Sequence, residues 1–151
     1  MEMATFGAGC FWGVQAAFEK IPGVISTAAG YMGGKLKNPS YEEVCTNTTG
    51  HAEVVQIIFD PNKISYDELL DMFWGIHDPT QLNRQGPDIG SQYRSVIFYH
   101  TPKQRTIAEA SKRKQNELRG NKKPIVTEII KATDFWKAEE YHQHYLQKIP
   151  R

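Results

Sequence analysis

The segment Ala52–Phe59, Ala-Glu-Val-Val-Gln-Ile-Ile-Phe, constrains the fold of this chain more than any other. It has the length of a strand, and both of its parities are largely apolar. Neither face can turn to water, so it must lie centrally in a sheet with both faces covered. Asp60-Pro61-Asn62 ends it. Shorter apolar or β-branched runs at Met3–Phe6, Val24–Tyr31, Arg94–Tyr99 and Pro124–Ile130 supply the other strands. Helices are expected at Val14–Ile21, at Tyr41–Cys45 behind Ser40, from Ser65 to about His77, from Pro102 to about Arg119, and at Ala138–Leu146. Ser40 with Glu43 has capping-box spacing, and Thr101 with Pro102 has the form of a helix start. Strands and helices alternate, and Met32–Ser40 and Asp78–Gln92 are long loops. This is the pattern of an α+β, two-layer sandwich around a mixed sheet, with a doubly wound parallel sheet as the alternative. No linker, repeat or low-complexity tract divides residues 1–151, which read as a single catalytic domain.

Charge excludes some partners. The 18 basic and 17 acidic residues leave a net charge of +1, so no field draws nucleic acid or an anionic membrane. No apolar run is long enough to span a bilayer. Met1-Glu2-Met3-Ala4 has neither the basic nor the apolar region of an export signal. Two cysteines do not make a disulfide framework, which points to a reducing, cytoplasmic setting.

One of those cysteines carries the chemistry. Cys10 stands in Gly7-Ala8-Gly9-Cys10-Phe11-Trp12-Gly13, between a strand and a helix. A thiol at a helix start faces unpaired N–H groups and the positive end of the dipole, which favours the reactive thiolate. Phe11 and Trp12 suit a site that grips a small apolar group. Glu53 shares a strand face with Val55, Ile57 and Phe59. Desolvated there, its carboxyl would stay protonated near neutrality and form an acid–nucleophile pair with Cys10. The alternative is a solvated glutamate at a strand end. The loop Gln85–Ser95, with Tyr41, adds two phenols and the carboxylate of Asp88; Tyr93 could equally pack at the start of its strand.

These residues, taken together, resemble the A-class peptide methionine sulfoxide reductases. Gly9-Cys10-Phe11-Trp12-Gly13 is similar to that family's signature. Gly30-Tyr31 with Gly33-Gly34, Asn38–Cys45, Thr49–Glu53, Phe73-Trp74 with His77–Thr80, and Gln92–Ser95 match it in order and spacing, from about Thr5 to Leu146. The resemblance implies a sandwich with a ferredoxin-like βαβ core and reduction of the S epimer of methionine sulfoxide, free or in peptides and proteins. It implies that Cys10 attacks the sulfoxide sulfur and becomes a sulfenic acid, and that Phe11 and Trp12 hold the methyl group. It further implies that Glu53 protonates the oxygen, that Tyr41 and Tyr93 bind it, and that Asp88 supports the site. No cofactor or metal is implied, only an external thiol reductant.

The chain departs from many relatives in ending at Ile149-Pro150-Arg151 without a glycine-rich tail bearing resolving cysteines. Cys45 remains, at i+4 from Tyr41, and reads as a small buried residue. Regeneration is expected from glutathione with glutaredoxin, ranked ahead of thioredoxin. Two other functions compete. A thiol peroxidase would also form a sulfenic acid, but it needs a cation beside the thiolate, and no Arg or Lys lies near Cys10 in sequence. A redox-sensing or peptide-binding module would use the aromatic pair for docking. The five histidines are scattered without zinc spacing and read as solvated caps.

Overall fold

A computed structural model describes residues 1–46, 49–120 and 123–145. Its elements, in order, are β1 (Glu2–Ala8), α1 (Phe11–Glu19), β2 (Val24–Met32), α2 (Tyr41–Cys45), β3 (Ala52–Phe59), α3 (Tyr66–Gly75), β4 (Arg84–Gln85), β5 (Asp88–Ile89), β6 (Ser95–Tyr99), α4 (Pro102–Leu118), β7 (Glu128–Lys131) and β8 (Trp136–Lys137). Short 3₁₀ turns occupy Ser91–Tyr93 and Glu140–His142.

The sheet runs in the order β7-β6-β1-β3-β2-β8, and β4 and β5 form a separate small hairpin. β3 lies between β1 and β2, antiparallel to both, as its two apolar faces require. β6 adds antiparallel to β1, β8 antiparallel to β2, and β7 parallel to β6. The sheet is therefore mixed and α+β. It is not doubly wound, because the central strands meet antiparallel.

Two cores cover the two faces. Phe6, Val55, Ile57 and Phe59 face α1 and α3, packing with Phe18, Leu69, Leu70 and Phe73. The Phe6 ring lies 5.5 Å from Phe18 and 5.1 Å from Phe73. Each such buried ring contributes about 1.5–3 kcal/mol by removal from water. On the opposite face Ala52, Val54, Val96 and Phe98 pack with Ile130 of β7 and with Ala132 and Phe135 from the β7–β8 connection. The Glu53–Phe59 face of β3 is buried under helices; the other face is buried at Ala52 and Val54 and half-buried at Gln56 and Ile58.

Helix starts follow their chemistry. Ser40 Oγ accepts the Glu43 N–H at 3.1 Å while Glu43 Oε1 accepts the Ser40 N–H at 3.0 Å, a complete capping box. Ser65 and Glu68 repeat the arrangement at α3. Thr101 caps α4, with Pro102 in its first turn. Trp74 then ties α3 to α4 by donating its indole N–H to Ser111 Oγ at 2.8 Å.

Three expectations are corrected. The strand foreseen at Pro124–Ile130 begins only at Glu128. Pro124 has no N–H, and the amides of Ile125 and Val126 are taken by Asn116 Oδ1 and the Pro79 carbonyl. The helix foreseen at Ala138–Leu146 is instead the 3₁₀ turn Glu140–His142, after the unforeseen strand β8; Leu146 lies outside the described residues. The 78–92 loop is not structureless, since the β4–β5 hairpin folds within it.

Candidate active site

β1 delivers the chain to the site and a sharp turn redirects it. Gly9 has φ +95°, and a Cβ built there would lie 2.9 Å from Gln85 Cγ, so both backbone conformation and space select glycine. Gln85 is immobilised: its Oε1 accepts the Asp78 N–H at 2.8 Å and its Nε2 donates to the Asp78 carbonyl at 2.9 Å. The loop is thus clamped against the turn that presents Cys10.

Cys10 is the N-cap of α1, as the sequence suggests, and it makes no side-chain capping bond. Its thiol is not activated at rest. Burial pushes its pKa from 9.0 up to about 11, the Glu53 and Asp88 charges add to the rise, and the Trp12 and Gly13 amides only partly oppose it. The thiolate expected from helix position is therefore corrected to a thiol. Desolvation of the sulfur outweighs the helix start.

Glu53 is buried at 1% exposure, which removes the solvated alternative. Its Oε1 accepts the Phe11 N–H at 3.2 Å, so the carboxyl supplies the cap that Cys10 does not. Its Oε2 is buried and has no hydrogen-bond partner among the described residues. Burial raises its pKa from 4.5 to about 8; the Phe11 N–H opposes this, and the Asp88 charge adds to it. The carboxyl is predominantly protonated at pH 7, as its strand face foretold.

The remaining residues converge on this acid. Glu53's charge acts on Cys10, Tyr41, Cys45 and Tyr93 alike. Burial raises the pKa of both phenols, so each keeps its proton. Tyr41 hydrogen-bonds with Cys45 and with Tyr93, and Gln92 also reaches Cys45. Cys45 shares the Tyr41 side of α2 as the i, i+4 spacing indicates, but it is exposed rather than buried. Asp88 stands on β5, half-buried, paired with Gln85 and close enough to raise the Cys10 and Glu53 pKa values.

The aromatic pair divides. Phe11 is fully buried, its ring 5.6 Å from Tyr31 and 6.2 Å from Tyr41. Trp12 is part-exposed, stacked at 3.9 Å on Tyr145. Its indole N–H donates to His142 Nδ1 at 3.0 Å. His142 is 2% exposed, and His51 is also 2% exposed with its ring bonded to the Gly34 N–H and the Leu36 carbonyl, so neither is a solvated cap.

Sequence reasoning missed His142 and Arg94. Arg94 donates to the Ser91 carbonyl at 2.9 Å, the Gly50 carbonyl at 3.0 Å and Glu128 Oε1 at 2.9 Å. It therefore ties the turn bearing Tyr93 to the approach to β3. Its place beside Tyr93 was the available signal; His142 had none, because its partner Trp12 is distant in sequence.

Among the described residues no cluster of three or more His, Cys, Asp or Glu side chains could hold a metal ion, and no helix is long and apolar enough to cross a membrane. The family described as peptide methionine sulfoxide reductase matches residues 2–151. A peptide methionine sulfoxide reductase MsrA of Geobacter sulfurreducens is 62% identical over 148 residues, covering 98% of this chain and 91% of its own. One from Methanothermobacter thermautotrophicus is 62% identical over 150 residues, covering 99% and 89%. The crystal structure of reduced Mxr1 from Saccharomyces cerevisiae superposes with a TM-score of 0.93 at 38% identity, covering 99% of this chain and 86% of that one. The same yeast protein in complex with Trx2 gives a TM-score of 0.67 at 26% identity, covering 95% and 84%. With its cysteine at the start of α1 and its buried acid on β3, this chain belongs to the A class of the peptide methionine sulfoxide reductases.

Proposed function

We propose that residues 1–151 act as one catalytic domain that reduces the S epimer of methionine sulfoxide, free or in proteins, to methionine. The observation that carries this reading is Glu53: buried, raised to about 8, with an oxygen that has no partner among the described residues, beside the cysteine it perturbs. A sulfoxide oxygen leaves poorly unless it is protonated, and a carboxyl still protonated at neutral pH is the group to protonate it.

Cys10 gives up its proton and its sulfur attacks the sulfoxide sulfur. Glu53 delivers a proton to the oxygen, with Tyr41 and Tyr93 donating hydrogen bonds to it. The attack forms an S–S bond; as the protonated oxygen passes from the substrate sulfur to the Cys10 sulfur, that S–S bond and the S–O bond to the substrate both break, methionine leaves, and Cys10 carries the oxygen as a sulfenic acid. Two electrons pass from the thiol to the substrate, and the proton lost by Cys10 replaces the one Glu53 spends. Phe11 and Trp12 form the wall for the methyl group, opposite the oxygen-binding hydroxyls, and this handedness selects one epimer. Asp88 supports the pair through its charge.

The sulfenic acid is returned to thiol by an external dithiol or glutathione, in a cytoplasmic setting and without a bound cofactor. Both routes fit the site: the complex of the yeast relative with Trx2 supports a thioredoxin, and glutathione with glutaredoxin suits a single reactive thiol. We also read the core as ferredoxin-like; the order β6-β1-β3-β2, with α1 between β1 and β2 and α3 between β3 and β6, supports it. The deciding experiment is epimer-resolved reduction of methionine sulfoxide with dithiothreitol by wild type and Cys10→Ser. Full activity in the variant rules the mechanism out.

A further inference from the structure

The indole of Trp12 is held from across the molecule. Its N–H donates to Nδ1 of His142 at 3.0 Å, and the Tyr145 ring stacks on it at 3.9 Å. The imidazole is itself wedged among rings, 5.5 Å from Phe11, 4.4 Å from Tyr41 and 4.1 Å from Tyr141. Its Nε2 is buried and has no hydrogen-bond partner among the described residues, with Glu139 Oε2 at 3.7 Å. The ring's orientation is therefore set by the Trp12 bond and by packing.

An indole nitrogen can only donate. The Nδ1 facing it must present a lone pair, which places the proton on Nε2 and makes the imidazole neutral. A second proton would go to Nδ1 and set two donors head to head. The hold on the indole therefore exists only while His142 is uncharged.

We propose that His142 is a positioning residue for sulfoxide reduction: through Nδ1 it fixes the indole plane of Trp12, and its protonation releases that wall and weakens the grip on substrate. This rests on the reading of Trp12 as the methyl wall. Among the described residues, the titratable groups facing the imidazole are Glu139 and Tyr141 from its own segment and Tyr41 from α2; Phe11 and Trp12 of α1 bring no charge. Burial lowers the His142 pKa and the Glu139 carboxylate partly opposes this, so the neutral form prevails near pH 7.

The test compares wild type with His142→Gln, which can accept from the indole but does not titrate, and His142→Leu, which can do neither. Steady-state rates are measured on the S epimer with dithiothreitol from pH 5 to 8. At pH 7.5 His142→Leu should raise KM several-fold more than it lowers kcat, and His142→Gln should restore most of the loss. The ratio of wild-type to His142→Gln kcat/KM should fall severalfold toward pH 5, because the ionisations of Cys10 and Glu53 are common to both and cancel. In a Trp12→Phe background His142→Leu should add less than a twofold change. A ratio constant across pH, or Gln and Leu variants that behave alike, would overturn the proposal. If His142→Leu does not fold, the ratio still decides. The ¹⁵N–¹H signal of the Trp12 indole reads the bond directly; it should shift as His142 protonates, and a signal unmoved over this range also overturns it. A normal KM in Trp12→Ala would instead sink the methyl-wall reading while leaving the measured bond intact.

Discussion

Replacing Glu53 by Gln separates catalysis from stability. Gln keeps an oxygen to accept the Phe11 N–H, so the start of α1 should survive. It removes the ionisable proton. General acid catalysis typically contributes ~10²–10⁴-fold, and single-turnover formation of the sulfenic acid should slow by that much. The same change should stabilise the fold. Glu53 titrates near 8 in the native protein against an ordinary 4.5, so between those values the native state holds a proton that the unfolded chain has lost. Wild-type stability therefore falls as pH rises from 4.5 through 8. The gap corresponds to at most ~5 kcal/mol, with partial relaxation of a charged site reducing it to a few. Glu53→Gln lacks this slope. Its Tm should exceed that of wild type by an amount that grows from pH 5 to pH 8.5. Thermal unfolding followed by circular dichroism at several pH values, beside quenched-flow counting of sulfenic acid, gives both numbers. Parallel Tm curves for the two proteins would refute the raised pKa. An unchanged single-turnover rate would show that another group supplies the proton.

Other outcomes follow from the same geometry. Cys10→Ser should lose all reduction, while Cys45→Ser should keep most of it with dithiothreitol, as measured by methionine release. A racemic sulfoxide should be consumed halfway and stop, as read by chiral chromatography; full conversion would contradict the one-sided wall. After one equivalent of substrate, alkylation and mass spectrometry should find one free thiol and a sulfenic acid or glutathione adduct on Cys10, whereas rapid loss of both thiols would show that exposed Cys45 closes a disulfide. Gly9→Ala forces a side chain into φ +95° against Gln85, and it should destabilise the protein by roughly 1–3 kcal/mol and lower kcat, since the displaced turn carries Cys10.

Much of this site was legible because its signals are local. Gly9 beside Cys10, the Ser40–Glu43 box that starts α2, and the apolar parity around Glu53 are each contained within a few residues. The parity of β3 alone places Glu53 with Val55 and Ile57 on the helix-covered face. What escaped depended on partners far along the chain. β8 forms because Trp136 and Lys137 meet the open edge of β2 at Tyr31 and Gly30. Pro124–Thr127 fails to form strand because Asn116 and Pro79 take its amides. His142 becomes a buried acceptor only because Trp12 lies beside it.

The sequence by itself determined which residues could do chemistry, the order of the longer strands and helices from β1 to α4, and the central place of β3, since periodicity and capping act over one or two turns of chain. Tertiary structure reversed the expected protonation of Cys10 and set how far the Glu53 carboxyl is raised. Helix position alone favours a Cys10 thiolate, yet the folded protein raises the thiol to about 11 and Glu53 to about 8. A pKa depends on how much water the whole surrounding shell excludes and on every charge within it. That shell is assembled here from β1, α1, β3 and the 78–93 loop, which meet only in the fold.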